Sequence, residues 1–522
     1  MTLNTIDLAI FAIYVLGLIA IAYYVSREKV GHDKNTDDYF LASNSLPWWA
    51  IGASLIAANI SAEQIIGMSG SGYVVGLAIA SYEWMSAITL IIVGKYFLPI
   101  FMKRKIYTMP QFLQERFDGR VKTTMAIFWL AVYVFVNLTA VLWLGALAIN
   151  TITGLDLTIC MILLAVLSLA YSLYGGLKAV AFTDIIQVVL LIAGGLFLSY
   201  MSLSLIGDGQ GLLAGFDRLT SELPEKFDMI LSADSPHYVN LPGLSVLLGG
   251  LWVMNLSYWG FNQYIIQRTL AAKDLAEAQK GIAFAAFLKL LMPVIVVLPG
   301  IAAVLLLPEL SKPDQAYPEL MNLMPTGLKG LIFAALVAAI LSSLASMTNS
   351  VATIFTMDLY KPIKSDKSQS HYVLVGRVVS VIALIIALLT AKPLLGDFDQ
   401  AFQYIQEFTG FFTPGIVVLF LLGMFWKRTT ANAALAATIG SAVFSVAAKI
   451  LIPEVPFMDR VGYVFLSCFA LAVVVTLMQK ESKNAHPNAV QLDDVNFTTQ
   501  KSFNISALLN TLILIAFYTV WW

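Results

Sequence analysis

Asn59, Ser61, Glu63 and Gln64 stand inside an apolar run from Trp48 to Gly76. Asn255, Ser257, Tyr258 and Gly260 interrupt a second run, from about Leu244 to Tyr264. A helix that faces lipid along its whole length has no use for such groups at mid-depth. Non-helical backbone survives in hydrocarbon only where it is buried or lines a cavity, because an uncovered polar group there is costly. Paired interrupted helices of this kind are the sequence signature of a transporter binding site.

Few other ionisable groups fall in apolar segments: Glu83, Asp184, Lys289 and Glu407 join Glu63. Such residues are expensive and usually functional. Glu83 and Ser86 are three residues apart and share one helix side. Glu83 and Lys289 can each give a charge-assisted hydrogen bond to a neutral, hydroxyl-rich ligand, and can balance each other in an empty site. A purely structural ion pair is the equal alternative. Asp184 lies near the end of its segment, where a solvated helix start is the plain reading.

Ser342, Ser343 and Ser346 place two adjacent hydroxyls and a third one turn later. A lone serine in a membrane helix usually serves close packing. A small hard cation, however, wants oxygen from hydroxyls and unwound carbonyls. The break from Ala57 to Ile60 can supply the carbonyls. Gln406 offers both donor and acceptor, as sugar hydroxyls require. Phe402, Tyr82, Tyr258 and Trp259 are large aromatics beside polar positions. They suit the apolar face of a sugar or a gate, although core packing explains any one of them alone.

The elements that must hold these residues are membrane helices. The chain has 522 residues, 59% hydrophobic and 12% charged, with mean hydropathy +0.80. A soluble domain carries about twice that charge. About 20 apolar residues cross a bilayer. Fourteen segments qualify: 6–25, 47–75, 80–101, 124–149, 158–174, 180–204, 244–264, 281–307, 328–356, 372–391, 397–425, 432–453, 459–478 and 504–522. The first has no Lys or Arg before it and Arg27 and Lys29 after it, the reverse of a signal peptide.

With the N-terminus outside, the inner loops collect most of the Lys and Arg, with a cluster at Lys103, Arg104, Lys105, Arg116, Arg120 and Lys122. The outer loops hold Arg218, Lys226, Lys312, Lys329, Lys392 and Arg460. The positive-inside rule therefore places both termini outside a plasma-type (inner) membrane. The outer loops 205–243 and 308–327 either cap a vestibule or are solvated. The polar segment 479–503 reads as a flexible cytoplasmic linker. Cys160 and Cys468 lie in apolar runs and read as core residues. The near-neutral charge of -1 gives no sign of nucleic-acid binding. No zinc spacing, phosphate loop or nucleophile-base pattern points to an enzyme.

With these residues in view, the chain resembles the sodium/solute symporter family, and within it the bacterial sodium/galactose members of the sodium/glucose cotransporter group. The resemblance rests on 53–64 (ASLIAANISAEQ), 81–86 (SYEWMS), 174–177 (YGGL), 258–268 (YWGFNQYIIQR), 342–346 (SSLAS) and 401–407 (AFQYIQE). It implies an all-α, leucine-transporter-type fold of two five-helix inverted repeats in a single transmembrane domain, 1–522. The repeats would be 47–204 and 244–425, with an extra helix at 6–25 and C-terminal helices over 432–522. A hexose would be bound by Gln64, Glu83, Ser86, Asn255, Lys289 and Gln406, with Tyr258 stacked on the ring from the inside. Met68, Tyr82 and Phe402 would close the outside, with Trp259 also at the gate. Sodium would sit between the carbonyls of Ala57, Ile60 and Ala339 and the hydroxyls of Ser342 and Ser343, with Asp184 nearby. Ser257 stands where the group has an aromatic, and 308–327 is shorter than its counterpart. Rival readings are another solute on the same fold (inositol, proline, pantothenate or sialic acid), proton coupling through Asp184 or Glu83, and a channel or sensor without transport.

Overall fold

The computed structural model describes residues 3–26, 46–106, 108–396, 401–479, 484 and 486–522, and no side chain of 19, 22, 23, 25, 26 or 171–182. The motif at 174–177 and the basic residues Arg27, Lys29 and Lys34 lie outside this description. The described chain is helical, with one isolated parallel bridge, Leu46 to Ala272. Among the described residues nine helices are long and apolar enough to cross a bilayer. Two bent pairs, Trp48–Asn59 with Glu63–Val75 and Ala401–Gly410 with Thr413–Phe425, bring the number to eleven. Of the remaining expected segments, 6–25 lies in the helix Thr5–Ser26 and 158–174 in the helix Leu157–Ile206, while 244–264 is helical in interrupted pieces.

The stretch Leu157–Ile206 is helix over 50 residues. A straight helix of that length would run about 75 Å, more than twice a bilayer core. Yet Leu164 and Ile340 both crowd Gly145, while Asp184 accepts a hydrogen bond from Ser342. Ile340 and Ser342 are close neighbours on one helix, so Leu164 and Asp184 lie at the same depth. A straight helix would part them by about 30 Å. The stretch passes this level twice.

The first broken helix bends by 58°. Its first half, Trp48–Asn59, ends where Ser61 N–H turns back to the Asn59 carbonyl at 2.8 Å. This frees the Ala57 carbonyl from its usual donor. A π turn over Glu63–Gly67 then leads into Met68–Val75. Both halves lie against Leu275–Leu306 through residues without side-chain bulk. A Cβ on Gly52 would come within 2.8 Å of the Gly281 carbonyl, and one on Gly300 within 2.2 Å of the Ser69 carbonyl. Small residues allow such backbone approach between membrane helices.

The second broken helix runs through Gly250–Leu256 and a π turn over Ser257–Phe261. It breaks at Asn262, whose backbone is extended at φ -75 and ψ 125, and resumes over Gln263–Leu270. The expected interruption at 255–260 is therefore a π turn, with the true break just after it. Between these elements runs Leu328–Thr353, buried along nearly its whole length, which carries the serine group.

Two polar segments are docked onto the bundle. In the segment 205–243, Lys226 donates to the Val74 carbonyl at 2.5 Å, and Met229 N–H to the Trp521 carbonyl at 2.9 Å. The segment read as a flexible linker is held in its described part. His486 N–H donates to the Lys427 carbonyl at 2.8 Å, Lys103 donates to the Asp494 carbonyl at 2.6 Å, and Val490 is buried. Its apolar residues are too few to make a helix periodicity, so composition alone read it as free.

Candidate functional site

A cavity lies between the two broken helices, the helix Ser81–Ile92, and the bent pair at Ala401–Phe425. Its walls include Asn59, Glu63, Gln64, Tyr82, Glu83, Ser86, Tyr133, Asn137, Asn255, Ser257, Tyr258, Trp259, Asn262, Phe402, Gln406 and Thr409. The cavity is narrow, with about 80 Å³ of water-accessible space.

Polar groups on different helices are tied in pairs across it. Gln64 Nε2 donates to Glu83 Oε1 at 3.1 Å. The Lys289 ammonium binds the other Glu83 oxygen and Asn59 Oδ1, and lies 4.9 Å from the Trp259 ring centre. Asn59 Nδ2 donates to the Tyr258 hydroxyl at 3.1 Å, which also meets the Tyr264 hydroxyl at 2.7 Å. Ser86 Oγ donates to Asn255 Oδ1 at 2.6 Å. Gln406 Nε2 donates to Glu63 Oε1 at 3.3 Å.

The expected ligand-binding side chains Gln64, Glu83, Ser86, Asn255, Gln406 and Tyr258 all reach the cavity wall. Lys289 does not. It is fully buried one layer behind, where Glu83, Asn59 and the Trp259 face surround it. Of the expected gate, Tyr82, Phe402, Tyr258 and Trp259 line the cavity, whereas Met68 is buried in the packing outside it. Tyr82 and Phe402 meet edge to face, with ring centres 5.2 Å apart.

Several wall residues carry polar atoms without a partner. Tyr82 Oη, Asn137 Oδ1, Asn255 Nδ2 and Thr409 Oγ1 are buried atoms with no hydrogen-bond partner among the described residues. Buried polar groups are normally satisfied, so each such atom calls for an explanation. Here they form a mixed set of donors and acceptors around one space.

The second candidate centre lies beside the cavity. Ala57, Ile60, Ala339, Ser342, Ser343 and Asp184 are all fully buried. Ser343 Oγ lies 3.5 Å from the Ala58 carbonyl, at the break of the first helix. The Ser342 hydroxyl donates to Asp184, which accepts from Ser54 Oγ at 2.7 Å on its other oxygen. Arg268 Nη2 balances that carboxylate at 3.3 Å and also donates to Ser346 Oγ at 2.7 Å. Asp184 is thus an internal ion-pair partner, not a solvated helix start. By accepting the Ser342 O–H hydrogen bond it leaves the lone pairs of that hydroxyl available to a cation. Hydroxyls and free carbonyls make a donor set that suits a hard cation.

Arg268 and Tyr133 escaped sequence reading. Tyr133 donates to Asn262 Oδ1 at 2.6 Å and accepts from Gln263 N–H at 2.8 Å, stapling the second break. Arg268 closes the motif at 258–268, but its place at the end of an apolar stretch reads more plainly as a loop charge. Tyr133 has no signal at all in a chain this rich in aromatics.

A profile of the sodium:solute symporter family matches residues 39–440. The chain is 53% identical to the sodium/glucose cotransporter of Vibrio parahaemolyticus, over 100% of this chain and 99% of that one. It is 34% identical to human sodium/myo-inositol cotransporter 2, over 82% of this chain and 67% of the relative. A solved sodium-coupled sialic acid symporter, in a substrate-bound outward-open state, superposes with a TM-score of 0.78 at 23% identity, covering 91% of this chain and 98% of that one. The last likeness speaks for the fold alone, the leucine-transporter type.

Proposed function

This chain belongs to the sodium:solute symporter family, and we propose that it couples inward sodium movement to uptake of a hexose, galactose or glucose, by alternating access. The observation that carries this reading is the cavity with its unpartnered donors and acceptors, Tyr82 Oη, Asn137 Oδ1, Asn255 Nδ2 and Thr409 Oγ1. A ring sugar presents hydroxyls that donate and accept in every direction. The neutral balance of Glu83 and Lys289 suits an uncharged polyol over a carboxylate. The sodium/glucose cotransporter of V. parahaemolyticus, alike over the whole chain, supports the same solute class. Myo-inositol, named for the human relative, presents a similar ring of hydroxyls and is the second reading.

Gln64, Glu83, Ser86, Asn255 and Gln406 hold the sugar, with Lys289 acting through Glu83 and Tyr258 beneath the ring. Sodium sits between the carbonyls of Ala57, Ile60 and Ala339 and the hydroxyls of Ser342 and Ser343, with Asp184 orienting Ser342. It joins the first broken helix to the serine helix and favours the outward-open state. Sugar entry then lets Tyr82 and Phe402 close, with Met68 packed behind them. Inward opening past Tyr258 and Trp259 loosens the cation site, and both ligands leave. The ion shifts the equilibrium only by its unequal affinity for the two states. Both termini lie outside the plasma membrane in this reading, with 47–204 and 244–425 as the inverted repeats.

One charge crossing 100 mV contributes about 2.3 kcal/mol. With a tenfold sodium gradient the drive reaches roughly 3.7 kcal/mol, enough for about 500-fold accumulation at one-to-one coupling. The test is labelled galactose and glucose uptake into proteoliposomes under an inward sodium gradient, against an equal potassium gradient. Sodium-dependent accumulation above equilibrium supports the proposal. Uptake that follows a proton gradient without sodium, or accumulation of inositol but no hexose, overturns the ion or the solute.

A further inference from the structure

The charges around the cavity do not cancel. Glu83 is matched: one oxygen accepts from Gln64, and the other meets the Lys289 ammonium. Among the described residues Glu63 has no such match. It lines the same cavity at 8% exposure, and its hydrogen-bond donor from a side chain is the amide of Gln406, at 3.3 Å. Among the described residues, no Lys, Arg or His lies on the cavity wall. The cation behind the wall, Lys289, is already engaged by Glu83, Asn59 and the Trp259 face.

A carboxylate held away from water needs a cation or a full set of donors, or else it takes up a proton. One amide is neither. A hexose hydroxyl can give Glu63 a hydrogen bond but brings no charge. An ammonium in place of one hydroxyl is nearly the same size, donates up to three bonds, and supplies the missing positive charge. Asn137 Oδ1 and Tyr82 Oη remain on the same wall for the hydroxyls of the ring.

We propose that the cavity takes amino-hexoses, sugars with one hydroxyl replaced by a protonated amine, and that Glu63 is the counter-ion of that amine. The inference rests on the hexose-transport reading and sharpens its solute class. The amine replaces a hydroxyl on the ring that the remaining wall groups already suit, so the rest of the site serves both sugars.

The test uses the full chain in proteoliposomes under a sodium gradient. Glucosamine and galactosamine compete with labelled parent hexose, and the parent hexoses compete in parallel. The amino-hexose should compete about tenfold more strongly than its parent, and Glu63→Gln should erase that ratio when both are measured on the same variant. Equal or weaker competition by the amino-hexose in the wild-type protein overturns the proposal, and this comparison decides it even if the variant does not reach the membrane. An equal loss of both sugars in the variant also overturns it. If labelled hexose is not taken up at all, the hexose reading fails by itself. Calorimetric titration of purified protein with glucosamine and galactosamine then decides the Glu63 proposal separately: binding lost in Glu63→Gln supports it, and no binding to wild type sinks it.

Discussion

The Ser343 hydroxyl lies 3.5 Å from the Ala58 carbonyl, joining the serine helix to the break of the first helix across 285 residues of sequence. The contact holds the serine helix against the break that frees the Ala57 carbonyl. Ser343→Ala removes one oxygen from that set. The expected result is about a tenfold or greater rise in the sodium needed for half-maximal uptake, with the galactose-to-glucose preference kept. An unchanged sodium titration in proteoliposomes would remove Ser343 from the cation site.

Glu83 and Lys289 are a buried pair, and breaking such a pair from one side costs about 3–5 kcal/mol. Glu83→Ala should therefore lower thermal stability in detergent as well as abolish uptake. Gln64→Ala leaves the pair intact and should lose uptake with little change in melting temperature. Combining Glu83→Gln with Lys289→Met should regain most of the stability and none of the transport. If the double variant melts no higher than Glu83→Ala, charge compensation is not what holds this layer together.

Tyr133 makes two hydrogen bonds at the second break, to Asn262 Oδ1 and from Gln263 N–H. Tyr133→Phe keeps the ring and deletes both. A buried donor left without a partner costs about 1–3 kcal/mol. Melting temperature should fall accordingly, and the uptake rate with it. A variant that melts with wild type would show that the break is held by helix packing alone.

Tyr82 and Phe402 touch edge to face over the cavity, a contact of about 0.5–1.5 kcal/mol beyond its buried area. Phe402→Ala should expose the cavity to the outside. Ser86→Cys then becomes a reporter, because both native cysteines are buried. A membrane-impermeant thiol reagent should label it faster from outside when Phe402 is truncated. Equal labelling rates would place the outer barrier elsewhere.

The membrane class, the two broken helices and the serine group were legible because each is a departure from an apolar background. A polar residue at mid-depth is too costly to be accidental, so Gln64, Glu83 and Asn255 stand out. Residues that are ordinary in type did not. Arg116 reads as one more inner-loop charge, yet it is fully buried and donates to the Gly423, Trp426 and Thr429 carbonyls. Asp184 and Arg268 lie 84 residues apart and read as helix-end charges until they meet. Glu63 was visible as an intramembrane acid, but its lack of a counter-ion was not.

The sequence by itself determined where polar groups enter the membrane, because hydrophobicity is a local property and exceptions to it are readable one residue at a time. The tertiary structure alone decided which of those groups meet. Lys289 stands behind Glu83 and not in the cavity, Met68 lies outside it, and Ser343 reaches Ala58. Pairing of this kind depends on how distant helices bend and cross, through approaches such as Gly52 against Gly281, and backbone distance between helices has no signature in residue order.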